Sequence, residues 1–170
     1  VELGAGLGRD TVFFAKNKIK VEALDYSPTA IKIIEKKAKG NNFSKLVSTK
    51  YFDVRGKLPY EDNSIEGVFS HMLYCMALTN SDIERLNNEI LRVLKPGGMN
   101  IYTVRNFNDG DYTKGIHVGE DMYENDGFII NFFSEKKVNS LLKGFNNLSI
   151  NKFEEGKFPR KLFLVQNKKT

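Results

Sequence analysis

The stretch that decides the fold is Val1-Glu2-Leu3-Gly4-Ala5-Gly6-Leu7-Gly8-Arg9-Asp10, an acidic residue followed by three glycines at alternate positions. The apolar residues before the first glycine predict the end of a buried strand, and the glycines predict a tight turn that leads into a helix. Glycine takes positive φ angles and lets the backbone approach a ligand without an intervening side chain. The stretch therefore predicts a strand, a turn and a helix that hold a nucleotide-like cofactor at the carboxyl end of a parallel sheet.

The spacing of the glycines separates two classes of cofactor site. A dinucleotide fingerprint reads Gly-x-Gly-x-x-Gly, whereas the third glycine here is Gly8 and Arg9 stands where the fingerprint places glycine. Glu2 also lies outside that fingerprint. The alternative functional hypothesis is thus a nicotinamide-dependent oxidoreductase. The structural alternative is a glycine turn that joins strand and helix and binds no ligand.

Composition limits the function classes. The 170 residues, 41% hydrophobic and 28% charged, predict one globular domain over residues 1–170. No apolar stretch approaches the roughly 20 residues that span a bilayer, so we expect no membrane segment. The net charge of +5 is scattered along the chain, so nucleic acid is not an expected partner. Cys75 is the only cysteine, which excludes an internal disulfide and favours a reducing, cytoplasmic location. No Cys/His spacing indicates a metal site.

Strand and helix patterns alternate along the chain, which predicts an α/β fold. We expect a Rossmann-like, doubly wound sheet with helices on both faces, hence three αβα layers. Its strands are mostly parallel, and a C-terminal antiparallel hairpin closes it. The predicted helices cover 9–17, 28–40, 80–94 (capped by Ser81) and 134–143. The predicted strands cover 20–24, 46–52, 65–70, 99–104, 148–153 and 161–165, with a turn at 95–98.

Two parts of the chain depart from this regular alternation. Val1 stands almost at the glycine turn, and strands usually have about five to six residues. We therefore expect the start of the first strand, and helices upstream of it, to be missing. Residues 105–133 are rich in Asn, Asp, Gly and Tyr and show little periodicity, which predicts a substrate lid. A surface excursion without function is the alternative.

Several segments together resemble the class I S-adenosylmethionine-dependent methyltransferases, within the methyltransferase type 11 and type 25 group. Residues 2–8 resemble motif I of that family, and Asp25 and Asp53 follow the next two predicted strands. Residues 58–65 resemble the stretch before the family's fourth strand, and residues 89–98 resemble its helix-to-strand signature. The resemblance covers nearly the whole chain and is specific as a set.

The resemblance implies S-adenosyl-L-methionine as cofactor. Asp25 would accept hydrogen bonds from the ribose hydroxyls, Asp53 and its neighbour would contact adenine, and Glu2 would hold the ammonium group. The candidate cofactor residues are Glu2, Gly4, Ala5, Gly6, Gly8, Asp25, Tyr26, Ser27, Asp53, Val54 and Ser70. Structural alternatives stay open: Asp25 as a capping acid ahead of Ser27, Asp53 as an exposed turn acid, and Glu2 as an anchor for the amides of the glycine turn.

The implied reaction is an in-line displacement, in which the protein mainly aligns the acceptor atom, the methyl group and the sulfur. We expect a small-molecule acceptor near the ends of the fourth and fifth strands. Residues 70–73 lack the Asn-Pro-Pro-aromatic run of enzymes that methylate planar nitrogens, which disfavours those acceptors. The candidate catalytic residues are His71 and Tyr74, and the candidate substrate residues are Arg105, Asn106, His117 and Arg160. A structural histidine at position 71 and a non-catalytic cofactor-binding module are the remaining alternatives.

Overall fold

The computed structural model describes residues 1–170 and contains one seven-stranded sheet and one three-stranded sheet. The strands of the large sheet are β1 (Glu2–Leu3), β2 (Val21–Asp25), β3 (Val47–Tyr51), β4 (Ile65–His71), β5 (Leu94–Arg105), β9 (Phe145–Glu155) and β10 (Arg160–Lys169). They lie in the order β3-β2-β1-β4-β5-β10-β9. β10 runs antiparallel to both of its neighbours, β5 and β9. All other neighbouring strands of this sheet are parallel. The predicted doubly wound sheet with a closing antiparallel hairpin is confirmed.

The four helices are α1 (Arg9–Lys16), α2 (Pro28–Gly40), α3 (Asn80–Val93) and α4 (Glu135–Ser140). Ser27 caps α2, because its hydroxyl accepts a hydrogen bond from the Ala30 amide and proline follows at the first helical position. The predicted cap of α3 at Ser81 is wrong. Thr79 caps this helix, because Asp82 stands three residues later and completes a reciprocal capping box.

Alternate residues of the central strands face opposite layers. Ala23 packs with Ile34 of α2 in a small cluster, whereas Leu24 belongs to the large core on the other face. That large core also contains Ile83, Leu86 and Ile90 of α3 and Val138 of α4. On the first face, the Phe14 ring of α1 meets the Phe69 ring of β4 edge-on, with centroids 5.1 Å apart. The sheet is therefore the middle of three layers.

Two regions differ from the sequence prediction. Residues 95–98, expected as a turn, form a bulge within β5: Ile65 pairs with Leu94, Gly67 pairs with Met99, and Gly97 has a φ of +78°. Residues 105–133, expected to be irregular, contain the antiparallel strands β6 (Ile116–Gly119), β7 (Met122–Asn125) and β8 (Phe128–Asn131). β7 (MYEN) and β8 (FIIN) lack the alternation of apolar and polar residues that indicates a strand.

None of the helices combines the length and the apolar character that a membrane crossing requires.

Candidate cofactor and acceptor site

The glycine turn lies against the end of β2. The amides of Gly4 and Ala5 both donate to the carbonyl oxygen of Leu24, at 2.9 and 3.1 Å. Gly4, Gly6 and Gly8 have φ angles of +66°, +51° and +75°, a region that disfavours side chains. A Cβ on Gly8 would lie 2.8 Å from Cγ1 of Ile34, whereas one on Gly6 would meet nothing within 4 Å. Gly8 therefore allows α1 to pack on α2, and Gly6 leaves open space.

The carboxylate of Asp25 holds the turn in place. Its Oδ2 accepts from the Gly6 amide and its Oδ1 accepts from the Ser27 amide, both at 2.8 Å. The side chain is buried in this position. Each carboxylate oxygen has a second lone pair, so Asp25 can still accept two hydrogen bonds from a vicinal diol. The capping role and the binding role proposed for Asp25 are thus compatible.

A cavity of about 200 Å³ opens beside Asp25. Its lining combines carboxylates from two strand ends with apolar side chains: Gly4, Asp25, Tyr26, Phe52, Asp53, Val54, Arg55, Leu73, Met76, Ala77 and Leu78. Sequence reasoning missed Arg55, and it missed the last three residues, Met76, Ala77 and Leu78. The signal of these last three is their position, since they follow shortly after the carboxyl end of β4, where ligands of such sheets bind.

Asp53 lines this cavity but is already paired. Arg55 binds its carboxylate through Nε at 3.0 Å and Nη2 at 2.6 Å, and the Arg55 amide also donates to it. These hydrogen bonds lower the pKa of Asp53. The Gly56 amide donates to the Asp53 carbonyl oxygen at 2.9 Å. Asp53 is therefore a turn acid that also faces the cavity.

Glu2 lies buried at the start of the turn, with 3% of its surface exposed. The Thr11 hydroxyl donates to its Oε2, and none of the amides of the turn does. The structure therefore does not support the role of Glu2 as an anchor for those amides. Burial raises the pKa of this carboxyl from 4.5 to about 7.

His71 lies at the carboxyl end of β4 within a polar network. Its Nδ1 is 2.9 Å from the Thr103 hydroxyl, and its Nε2 is 3.0 Å from Oε2 of Glu155, without the alignment of a hydrogen bond. Arg9 donates from Nη1 to Oε1 of Glu155 at 2.6 Å. Because Thr103 Oγ1 already accepts from the Met72 amide, its own proton can go to Nδ1, which leaves the proton of neutral His71 on Nε2, facing Glu155.

Comparison with known proteins identifies this arrangement. Residues 1–98, more than half of the chain, match the family model described as "Methyltransferase domain". The chain belongs to this methyltransferase family. A phosphoethanolamine N-methyltransferase 1 from Triticum aestivum is 39% identical over 99 residues, which cover 58% of this chain and only 19% of that relative. The chain therefore spans about a fifth of the length of the curated relatives it matches.

Solved structures share the fold of this methyltransferase domain. An S-adenosylmethionine-dependent methyltransferase from Methanosarcina mazei superposes with a TM-score of 0.85 at 19% identity, covering 99% of this chain and 90% of that one. The [4+2]-cyclase SpnF superposes with a TM-score of 0.77 at 17% identity, covering 99% and 73%. The second structure is named for a cyclisation, so the fold by itself does not define the reaction.

S-adenosyl-L-methionine is the cofactor that the family implies, and the residues of this methyltransferase domain fit it. The open space at Gly6 and the free lone pairs of Asp25 suit the ribose of an adenosyl group. The walls at Phe52 and Val54 suit its apolar ring faces. The membership also favours this cofactor over the nicotinamide hypothesis, in which Arg9 would have to be glycine.

The structure does not bring all the predicted cofactor residues of the methyltransferase domain to this cavity. Gly4, Asp25, Tyr26, Asp53 and Val54 line it. Ala5, Gly6, Gly8 and Ser27 shape the turn and the start of α2 without lining the cavity. Glu2 and Ser70 are buried and also lie outside the lining, and the hydroxyl of Ser70 is unpartnered.

The predicted catalytic and substrate residues are dispersed. Tyr74 is fully buried, with its ring 4.8 Å from that of Tyr102, and burial raises the pKa of its hydroxyl. Asn106 is buried, and its side chain accepts from the Asn108 amide. His117 is exposed on β6, with Nε2 2.8 Å from a backbone oxygen. Arg105 and Arg160 line a second, more polar cavity.

Proposed function

We propose that this domain transfers a methyl group from S-adenosyl-L-methionine to a small-molecule acceptor by in-line displacement. One observation carries the proposal: Asp25, fixed by the amides of Gly6 and Ser27, faces a cavity with apolar walls at the carboxyl end of the sheet. The family membership supports the same reaction class.

Four residues of the cavity, together with Glu2 outside its lining, have a role in this proposal. Asp25 accepts from the two ribose hydroxyls, and the side chains of Phe52 and Val54 cover the adenine ring. Asp53 accepts from the exocyclic amine with the one lone pair that the three N–H donors of Arg55 leave free. Glu2, once ionised, holds the ammonium of the cofactor. The bound cofactor supplies an activated methyl group on a positively charged sulfur, so the protein contributes mainly alignment.

His71 stays the candidate for the acceptor side, as a group that orients the acceptor. Its Nδ1 is hydrogen-bonded to the Thr103 hydroxyl, and its Nε2 faces Glu155 at 3.0 Å without an aligned hydrogen bond. A proton transfer to neutral His71 would have to reach Nδ1 in place of the Thr103 hydroxyl, because Nε2 already carries the proton. Tyr74 has no part in the proposed chemistry, because it is buried beneath Tyr102 and reaches no cavity.

The acceptor is proposed only as a small molecule. The wheat relative is named for phosphoethanolamine, but the family match ends at Gly98, before every candidate substrate residue. We place the domain in the cytoplasm, which the cysteine content supports, since the chain has one cysteine, Cys75, and so no internal disulfide.

Calorimetric titration of the purified chain with S-adenosylhomocysteine, followed by NADH, tests the proposal. We expect one saturable site for S-adenosylhomocysteine and no heat with NADH. The reverse pattern would establish the oxidoreductase hypothesis. Incubation with methyl-labelled cofactor and a panel of small acceptors then separates an enzyme from a binding module, because only an enzyme yields labelled product above the level without protein.

A further inference from the structure

A second cavity, of about 500 Å³, lies between the segment that follows β5 and the turn that joins β9 to β10. It is mostly polar, and only one of its ten lining residues is hydrophobic. The lining residues are Arg105, Asp109, Gly110, Asp111, Lys114, Gly156, Lys157, Phe158, Pro159 and Arg160.

The charges around this cavity do not cancel. Arg105 donates to both Asp109 and Asp111, so this group of one cation and two carboxylates carries a net charge of −1 within the wall, which the three other cations of the lining outweigh. Asp109 also accepts from the amides of Asp111 and Lys161, which saturates it. The remaining cations of the lining are Lys114, Lys157 and Arg160, and no carboxylate lies within ion-pair distance of any of them. The cavity therefore has a surplus of positive charge.

Backbone donors add to this surplus at the β9–β10 turn. The amides of Gly156, Lys157 and Phe158 have no hydrogen-bond acceptor within the protein. Consecutive unpaired amides beside cationic side chains form the kind of concavity that holds an oxyanion. The only hydrophobic residue of the lining has no side-chain acceptor for these amides.

One ion pair ties this cavity to the glycine turn. Arg9 directly follows Gly8, and Glu155 directly precedes Gly156; their side chains meet at 2.6 Å. The other oxygen of Glu155 lies 3.0 Å from Nε2 of His71, at the end of β4. The cationic cavity and the cofactor turn thus flank the same short network at one edge of the sheet.

We propose that this cavity binds the anionic group of the methyl acceptor, with a phosphate ester as the best match to its charge. This inference rests on the proposed methyl transfer. Lys157, Arg160 and Lys114 hold the anion, and Arg105 shapes the wall without contacting it. The part of the acceptor that is methylated then extends from this cavity past His71 toward the glycine turn.

Titration with inorganic phosphate at fixed ionic strength tests the binding site directly. The test variant is the double substitution Lys157→Ala and Arg160→Ala. The matched control is Lys32→Ala and Lys36→Ala, which removes two exposed charges from α2. We expect saturable binding to the wild type, at least a tenfold weaker phosphate affinity in the test variant, and a change below twofold in the control. Amide resonances of Gly110 and Gly156 should shift with phosphate.

Two further measurements make the outcomes separable. The affinity of both variants for S-adenosylhomocysteine should stay within twofold of the wild-type value. If the wild type does not bind S-adenosylhomocysteine, the proposed function is overturned, whatever the result of the phosphate titration. S-adenosylhomocysteine could bind while phosphate binding does not saturate, or is lost equally in the control variant. Either result would overturn the proposed anion site and leave the proposed methyl transfer standing.

With diols and amino alcohols tested beside their phosphate monoesters, each of which keeps a free hydroxyl or amine to accept the methyl group, we expect product from the esters, and a KM raised at least tenfold in the test variant at similar kcat. Phosphate binding without any preference for the esters would overturn the assignment of the cavity to the acceptor.

Discussion

The buried carboxyl of Glu2 makes the stability of this domain depend on pH in an unusual direction. Burial raises the pKa of Glu2 to about 7, against 4.5 in an unfolded chain. Between these two values the folded state binds more protons than the unfolded state, so the free energy of unfolding falls as pH rises through 7. At 1.36 kcal/mol for each tenfold change in proton affinity, ionised Glu2 costs the fold about 3 kcal/mol.

Glu2→Gln removes this ionisation and keeps an oxygen that can accept from the Thr11 hydroxyl. We expect the variant to gain about 3 kcal/mol of unfolding free energy over the wild type between pH 5 and pH 8. Urea unfolding followed by far-UV circular dichroism, without cofactor, measures the difference at each pH. Glu61→Gln, at an exposed position, is the matched control and should run parallel to the wild type. If the unfolding free energy of Glu2→Gln changes with pH just as that of the wild type does, the reasoning is refuted.

Further substitutions test the glycine turn and its carboxylate. Asp25→Asn replaces one acceptor oxygen with a donor, so S-adenosylhomocysteine should bind at least tenfold more weakly by calorimetry, whereas the exposed Asp126→Asn should leave affinity unchanged. Gly8→Ala should lower the unfolding free energy by about 2 kcal/mol or more, from its positive φ and its contact with Ile34. Gly40→Ala, with open space around it, should not destabilise; equal losses at both glycines would contradict this account.

The cofactor half of the domain was predictable because its signals are local. The glycine spacing, and single acids at the ends of β2 and β3, follow from a few neighbouring residues each. Parallel strands bring their carboxyl ends to one edge, so Asp25 and Asp53 could be placed in one cavity without knowledge of side-chain positions. Even there, the pairing of Asp53 with Arg55 was not predicted, because a charged neighbour two residues away is common in turns.

The surroundings of the candidate acceptor residues were not predictable, because the contacts there join distant parts of the chain. Glu155 meets Arg9 across 146 residues, and nothing near either residue indicates the other. Arg105 resembles a free substrate-binding arginine in the sequence, yet the two aspartates that follow it neutralise its charge. The burial of Tyr74 follows from its contact with Tyr102 of β5, which only the register of the sheet reveals.

The position of β10 has a consequence for the order in which the domain can be completed. β10 lies between β5 and β9 and pairs with seven consecutive residues of β5, from Met99 to Arg105. Until residues 160–169 have been synthesised, one side of β5 presents unpaired backbone groups, and β9 has no strand to join. Such edges recruit strands from other molecules. A ribosome paused just before these codons would therefore carry an aggregation-prone chain, and shortened versions should precipitate rather than form a smaller domain.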